Sequence, residues 1–483
     1  MKLNELIKGL KKIGCYGNML LDVENVAIDS NKVTPKSLFI CICGKDYDGH
    51  SFVKQVEMYG AVAVITEKKI DTSLTQIVVE DSRQAMSVIA SNFYGRVDKK
   101  LKLIAVVGTN GKTTTAHLIK NVLESSGVKC GVIGTLGSFY CDKYLEPVLT
   151  TPDPLELHKI FFDMYNSGVR CVVMEVSAHA IYLNKLKGLK FFASVFTNFS
   201  QDHLDFFESM ERYKQAKLKF FNENSSKYLV SNSDDEVGCE IMKLKDGVIS
   251  YGIENPADVF AVNIKISDKK TEFFINLFDY VDKVSLNLIG KFNVYNAMAC
   301  AVVCSLLGVK QQQVIKGLNQ VIKIDGRLEK VYDDEYKIII DYAHTPDGLK
   351  KALFALKPIT ENRLICLFGC GGNRDTSKRE IMGEICSSLS DFTIITSDNP
   401  RYEEPMEIIA QIEKGVRKNS KKYVLIEDRE DAIKYGVDIL KKGDTLLIAG
   451  KGSEKYQEIL GIKVMFNDKD IVKEYLRRKD GEK

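Results

Sequence analysis

LKLIAVVGTNGKTTT, Leu101 to Thr115, is the stretch on which the reading of the chain turns. An apolar run from Leu103 to Val107 stops at Gly108. Thr109-Asn110-Gly111-Lys112-Thr113-Thr114 then leads into a segment able to continue as a helix. A buried strand, a glycine turn and a helix start make an anion site, because backbone N–H groups and the positive helix end face one point. Lys112 adds a point charge for β- and γ-phosphates, and the Thr113 hydroxyl offers a ligand to Mg²⁺. The long form of this pattern has glycine at position 106, where Val106 stands; what remains is the shorter G-x-x-G-K-T. The competing reading is a plain glycine turn between strand and helix, with Lys112 in solvent.

Working outward, 483 residues suggest about three domains. A net charge of +3 gives no electrostatic case for nucleic acid. The 12 cysteines are scattered without a C-x-x-C pair, which reads as reduced thiols of a cytoplasmic protein. Cys41 and Cys43 alternate along an expected strand, and Cys366 and Cys370 flank another. No apolar run approaches the roughly 20 residues of a membrane span. The start, MKLNELIKGLKKI, reads as an amphipathic helix rather than a signal peptide.

Residues 1–97 read as a small α/β domain in which Asp29-Ser30 sits in a turn before a strand. Ser30 there either holds a polar ligand or belongs to a self-capped turn. Tyr94–Lys100 is polar enough for a linker. Residues 98–325 open with the phosphate loop. A second strand follows in GVKCGVIGTLG, then a loop with Thr150-Thr151-Pro152 and a helix from Pro154. VRCVVMEVSAHA places Glu175 and Ser177 at a strand's end. FFASVFTNFSQDHLDFF repeats the layout with Asn198, Asp202 and His203. In open α/β sheets ligands lie beyond the carboxyl ends of strands, so Glu175 and His203 are expected beside the phosphate loop as Mg²⁺-shell groups. A helix-start cap is the other reading of His203. In MERYKQAKLKFF, Lys214 and Lys217 read as a solvated face. Asn293 and Asn296 open an apolar helix that they either cap or from which they read a purine edge. Residues 326–483 alternate strands and helices, with polar clusters after YKIIID, RLICLFG, FTIITSDNPR and DTLLIAG. The fold class expected is α/β: three domains, with a mainly parallel central sheet and a Rossmann-like C-terminal part.

GTNGKTTT, MEVSAHA, TNFSQDHLDFF, YKQAKLKFF, GKFNVYNA, GRLE, DYAHTPD and DNPR stand in the order in which they occur in the Mur ligases, and the chain resembles that family over nearly its whole length. The resemblance implies a UDP-binding domain at 1–97, an ATP-binding domain at 98–325 and an amino-acid-binding domain at 326–483. It implies an ATP-dependent amide-bond-forming ligase that adds meso-2,6-diaminopimelate to UDP-N-acetylmuramoyl-L-alanyl-D-glutamate through an acyl phosphate. L-lysine is the alternative amino acid. Its partners are these small molecules, with no nucleic acid and no membrane insertion, and the expected state is a monomer.

By the same resemblance Lys112, Lys217, His203 and Glu175 are catalytic. Gly108, Thr109, Asn110, Gly111, Lys112, Thr113, Thr114, Asn293, Asn296, Arg327 and Asp341 bind ATP, with His344 near. Thr113, Glu175, His203 and Lys217, the last as a carbamate formed with CO₂, hold two Mg²⁺. Ser30, Thr150, Thr151, Ser177 and Lys185 bind the UDP-muramoyl dipeptide; the family often has arginine where Lys185 stands. Arg374, Asp398, Asn399, Pro400, Arg401, Gly450 and Glu454 bind diaminopimelate, with Arg401 clamping the distal carboxylate that lysine lacks. Ser453 replaces the histidine of the common KGHE motif. A folylpolyglutamate synthetase shares the loop and the acyl-phosphate route, but DSNKV, DGH and DNPR speak against it. A GTP-binding switch wants N-K-x-D, and neither N-K pair of this chain continues so.

Overall fold

A computed structural model describes residues 1–44, 47–223, 225–419 and 422–481. The chain divides into two compact units. The first comprises Met1–Val107, Gly127–Val195 and Ala216–Leu229. The second comprises Gly108–Ser126, Phe196–Gln215 and the chain from Val230 on.

The first unit begins with a five-stranded sheet. Its order is Gly14–Tyr16, Thr75–Val78, Ala61–Thr66, Ser37–Ile40, Asn25–Ala27, and all pairs are parallel except at the Gly14–Tyr16 edge. The helix Ser82–Phe93 covers it, started by the Asp81 carboxylate, which accepts from the N–H groups of Arg83 and Gln84. The same unit holds Lys102–Val107, parallel to Cys171–Val176, which is parallel in turn to Cys130–Gly134. Leu103 to Val107 are fully buried, as a strand covered on both faces requires.

In the second unit the helix Lys112–Ser125 packs on Lys291–Leu306 and Gln311–Asn319. Ile249–Gly252, Val259–Ile266, Thr271–Leu277 and Tyr280–Leu286 form a strand-rich stretch before Lys291. The C-terminal part is a six-stranded sheet in the order Glu329–Asp333, Lys337–Asp341, Thr445–Ala449, Leu364–Phe368, Phe392–Ile395, Tyr423–Leu425. It is parallel but for the Glu329–Asp333 edge. Alternate residues serve opposite faces: Ile339, Cys366 and Leu447 join one core with Leu353, Met382 and Ile412. Ile338, Ile340, Ile365 and Leu446 join another with Ile433 and Val437. Each such side chain contributes about 1.5–3 kcal/mol of burial. Helices on both faces make this a doubly wound sheet, so loops after its carboxyl ends are the ligand-facing positions.

Several expectations are corrected. The N-terminal helix is only Leu3–Leu6, because Leu3, Leu6 and Ile7 turn into the core and the lysines that follow do not continue it. Tyr94–Lys100 is no loose spacer: it holds the helical turn Val97–Lys99, with Val97 and Asp98 buried and Ser91 Oγ donating to Asp98 at 2.7 Å. Cys41 and Cys43 lie past the end of Ser37–Ile40. Lys217 is not on a solvated face; it is 1% exposed. Lys214 does reach the surface, where it pairs with Glu240 at 3.0 Å. The hairpin Tyr456–Ile459/Ile462–Met465 carries no turn signal in the sequence beyond Gly461. None of the 12 cysteines is in a disulfide, and no helix among the described residues is long and apolar enough to cross a membrane.

Candidate active site

The phosphate loop is built from backbone. Gly108 (φ +153°) and Gly111 (φ +85°) take conformations closed to most side chains, and a Cβ would lie 1.9 Å from Thr197 Oγ1 at the first and 2.5 Å from Asn296 Oδ1 at the second. Gly111 is the N-cap of Lys112–Ser125 and has no side chain to accept from the first-turn N–H groups, so that positive end is open to a ligand. Thr109 and Asn110 donate their N–H groups to Asn198 O (2.8 Å) and Asn198 Oδ1 (2.9 Å). Thr197 Oγ1 donates to Asn110 O at 2.7 Å. Thr109 Oγ1 meets Ser200 O and the Tyr213 hydroxyl, both at 3.2 Å. The Lys112 ammonium curls over the loop onto the carbonyls of Gly108 (2.9 Å) and Thr109 (2.8 Å). Thr113 and Thr114 are buried in the first turn.

Residues far along the chain brace this loop. Arg327 stacks over Tyr342, 4.5 Å from the ring centroid, and its Nη2 donates to Thr113 Oγ1 at 3.0 Å. Asn110 Nδ2 donates to Asp347 at 2.9 Å. Thr115 donates to Asn296 Oδ1 (3.2 Å), Asn296 Nδ2 to Asn293 Oδ1 (3.0 Å) and Asn293 Nδ2 to Ile289 O (2.9 Å). Neither asparagine caps its helix, which starts at Gly290; the pair is buried behind Gly111. Asp341 accepts from Leu328 N (2.7 Å) and Ala343 N (2.8 Å), and its burial raises the carboxyl pKa against the pull of Arg327.

His203 stands at the start of Leu204–Phe207 in the left-handed region (φ +57°), and its side chain does not cap that helix. Its Nε2 lies 3.3 Å from Asp202, whose other neighbour is His344 at 3.8 Å. Burial alone would raise Asp202; His203, His344 and Lys378 outweigh it and hold the carboxylate well below its usual range. Burial lowers His344, against Asp202.

In the first unit Glu175, 1% exposed, accepts from Thr135 N (2.9 Å) and Thr135 Oγ1 (3.1 Å). Thr135 Oγ1 also meets Thr150 Oγ1 at 3.1 Å. Thr151 Oγ1 donates to Glu175 O at 2.8 Å and accepts from Ser177 N at 3.0 Å, so four of the expected residues form one cluster. A Cβ on Gly134 would meet Glu175 Oε1 at 2.1 Å, which makes that glycine a requirement of the cluster. Lys185 pairs with Asp153 at 2.8 Å in the same Thr150–Pro154 loop. Ser30 opens the turn Ser30–Lys32, which Asp29 caps by accepting from Asn31 N; Lys32 and Lys185 both act on Glu156.

The C-terminal loops gather the remaining residues. Gly371, Gly372 and Arg374 follow Leu364–Phe368, Asp398 to Arg401 follow Phe392–Ile395, and Gly450 to Glu454 follow Thr445–Ala449. A Cβ on Gly372 would lie 1.9 Å from Pro400 O, and one on Gly450 2.7 Å from Asp398 Oδ2. Asn399 Nδ2 donates to Glu454 at 3.0 Å, and Lys451 Nζ donates to Asn399 Oδ1 at 2.9 Å and to Glu454 at 3.0 Å. Arg401 Nη1 donates to Gly372 O at 2.8 Å. Arg374 faces Asp205 at 3.6 Å, and Gln201 Nε2 donates to Asp375 at 3.2 Å. The segment around His203 and the residues expected to bind diaminopimelate therefore touch.

Sequence reading missed Thr135, Asp347, Lys451 and the buried pairs beneath the loops. Arg429 meets Asp468 through Nε and Nη2, both at 2.8 Å, and donates to Ser397 O. Arg379 forks onto Glu403. From the sequence Asn198 reads only as lying beyond a strand's end; that position, just past Lys190–Phe196, is the signal for its role at the loop. Cys43, Asp48 and His50 lie within 4.8 Å of one another. His50 Nε2 accepts from Glu67 N (3.0 Å) and Nδ1 faces Asp48 (2.6 Å), so both ring nitrogens are engaged and the trio does not suit a metal.

A glycine loop between a parallel strand and a helix, with its lysine over the loop carbonyls, places the chain in the class of phosphate-loop nucleotide-binding α/β proteins. Family models match residues 22–94 (Mur ligase family, catalytic domain), 106–304 (Mur ligase middle domain) and 326–452 (Mur ligase, glutamate ligase domain). The chain is similar to a UDP-N-acetylmuramoyl-L-alanyl-D-glutamate–2,6-diaminopimelate ligase of Clostridium acetobutylicum, 43% identical over 99% of both chains. It is also similar to the ligase of that name from Caldanaerobacter subterraneus subsp. tengcongensis, 44% identical over 99% of both. A solved structure of a ligase so named matches with a TM-score of 0.71 at 30% identity, covering 99% of both chains. The chain belongs to the Mur ligase family.

Proposed function

We propose that this protein joins meso-2,6-diaminopimelate to UDP-N-acetylmuramoyl-L-alanyl-D-glutamate while ATP becomes ADP and phosphate. The full-length identity to ligases of that name carries the reading, and the phosphate loop supplies its chemistry. A carboxylate oxygen is too poor a leaving group to condense with an amine. An oxygen of the D-glutamate carboxylate therefore attacks the γ-phosphorus, ADP departs, and an acyl phosphate results. An amine of diaminopimelate then attacks the acyl carbon, loses its proton, and phosphate leaves.

The N–H groups of residues 108–114 and the Lys112 ammonium take the phosphates. Arg327, Asp341, Asn293 and Asn296 hold that loop and the nucleotide side. By the family resemblance the Thr113 hydroxyl, the Glu175 carboxylate, which Thr135 fixes, and His203 would hold Mg²⁺, the oxygens being donors of the kind it prefers. Bound Mg²⁺ neutralises charge on the phosphoryl group in transfer. Lys217 is buried, and reaction of its amine with CO₂ would give a carbamate, a second oxygen donor set. Ser30, Thr150, Thr151, Ser177 and Lys185 bind the UDP-muramoyl dipeptide. Arg374, Asp398 to Arg401, Gly450 and Glu454 bind diaminopimelate. The corresponding domains are 1–97, 98–325 and 326–483, and cysteines without disulfides fit a cytoplasmic setting.

Phosphate release by purified protein with ATP, Mg²⁺ and the UDP-muramoyl dipeptide tests this. Release is expected on addition of meso-diaminopimelate and not of L-lysine. Release dependent on neither amino acid overturns the ligase reading; release with lysine alone overturns the Arg401 assignment.

A further inference from the structure

We infer that Glu458, on the hairpin strand Tyr456–Ile459, is a positioning residue that sets which edge of Arg401 faces the added amino acid. This rests on the reading of Arg401 as the clamp for a distal carboxylate. Arg401 stands in the left-handed region (φ +54°), a conformation that a bulky residue keeps only when its surroundings fix it. The hairpin does so. Arg401 N donates to Glu458 O at 3.0 Å, and Leu460 N donates to Arg401 O at 2.7 Å. Glu458 N donates to Asn399 Oδ1 at 3.0 Å, and Gln457 Nε2 donates to Asp398 O at 2.7 Å. The Asp398–Arg401 loop is thus stitched residue by residue to Gln457–Leu460.

The side chains complete the arrangement. Arg401 Nε donates to Glu458 Oε2 at 3.1 Å, and Nη1 donates to Gly372 O at 2.8 Å. Both side chains are about four-fifths covered. A guanidinium is a rigid planar fork, so fixing Nε and one N–H of Nη1 fixes the whole plane. Among the described residues these contacts leave one N–H of Nη1 and the N–H groups of Nη2, donors of the kind with which a guanidinium grips a carboxylate in two parallel hydrogen bonds. Glu458 also prevents the anionic substrate from binding Arg401 in the wrong register, because it occupies the competing Nε edge. The hairpin therefore acts in selecting a diamino acid with a second carboxylate, although Glu458 itself faces the arginine.

Phosphate release is measured for Glu458→Ala, Glu458→Gln and, as control, Arg401→Ala, with separate KM values for meso-diaminopimelate, ATP and the UDP-muramoyl dipeptide. Glu458→Ala is expected to raise the diaminopimelate KM about ten-fold, with kcat and the other two KM values little changed. Glu458→Gln is expected to recover most of the loss, because its amide oxygen still accepts from Nε. An unchanged diaminopimelate KM in Glu458→Ala, with a raised one in Arg401→Ala, overturns the inference and leaves the Arg401 reading intact. Silence of Arg401→Ala overturns that reading instead. Equal damage from Ala and Gln overturns the positioning role in favour of direct contact between the carboxylate and the substrate.

Discussion

The loop at Gly108–Thr113 and the loop at Asp398–Arg401 both follow a parallel strand, yet they are made of different material. The first is backbone: two glycines, a helix start and N–H groups, with the neighbouring strand's Thr197 and Asn198 closing it from behind. The second is side chain: Asn399, Lys451, Glu454, Arg401 and Glu458 in a chain of polar contacts. A backbone site recognises phosphate, which every nucleoside triphosphate carries. On the proposed reading the side-chain site distinguishes one amino acid from another. The first loop should therefore fail as a whole when altered, and the second should fail in selectivity.

The largest expected effect is that of Lys112→Ala, a loss of turnover of about 10³-fold or more, with the protein still folded by circular dichroism. Beneath the second loop, Arg429→Met strands the buried Asp468 carboxylate and removes a donor to Ser397 O. Thermal or denaturant unfolding should show a loss of about 3–5 kcal/mol, and the paired change Arg429→Met with Asp468→Leu should recover much of it. Arg401→Ala should come next, raising the diaminopimelate KM about 10²-fold and erasing the preference over lysine in competition assays. If Arg401→Ala lowered kcat as severely as Lys112→Ala, the division of labour between the loops would be wrong.

The smallest effect lies outside both loops and calibrates the scaffold. Burial pushes His158, on Pro154–Asn166, down to about 4, partly offset by Asp98. The unfolded chain takes up a proton near 6.5 that the folded protein refuses. Stability should fall as pH drops from about 6.5 towards 4, by at most about 1.4 kcal/mol per pH unit, and be flat above that window. His158→Phe should reduce the slope in melts at stepped pH without altering either loop's kinetics.

What could be read from the residues follows the same division. Gly108, Gly111, Lys112 and Thr113 are contiguous, so their arrangement is local, and the strand and helix around them show in the hydrophobic pattern. The alternation in the C-terminal part likewise exposed the parallel sheet. Arg401 was picked out by its motif, but Glu458 lies 57 residues on in a hairpin with no strong turn signal. Lys217 looked solvated because helical spacing shows which residues share a face and not which face is buried. Asn293 and Asn296 looked like caps, since no local pattern announces that Gly111 packs against them. Thr135 carried no signal of its own; its role comes entirely from where Glu175 points.

Two contacts bear on how such a protein can be taken apart. Arg327 and Asp347 reach the phosphate loop from 214 and 237 positions downstream. The segment resembling a free-standing nucleotide cassette is thus finished by residues that a construction boundary at 325 would discard. Transplanting residues 98–325 into another ligase would carry over the loop and leave behind the groups that orient its threonine and asparagine. The transferable piece must include the C-terminal sheet, because Arg327 precedes its edge strand and Asp347 lies in the first turn of the helix Pro346–Leu356 packed on it.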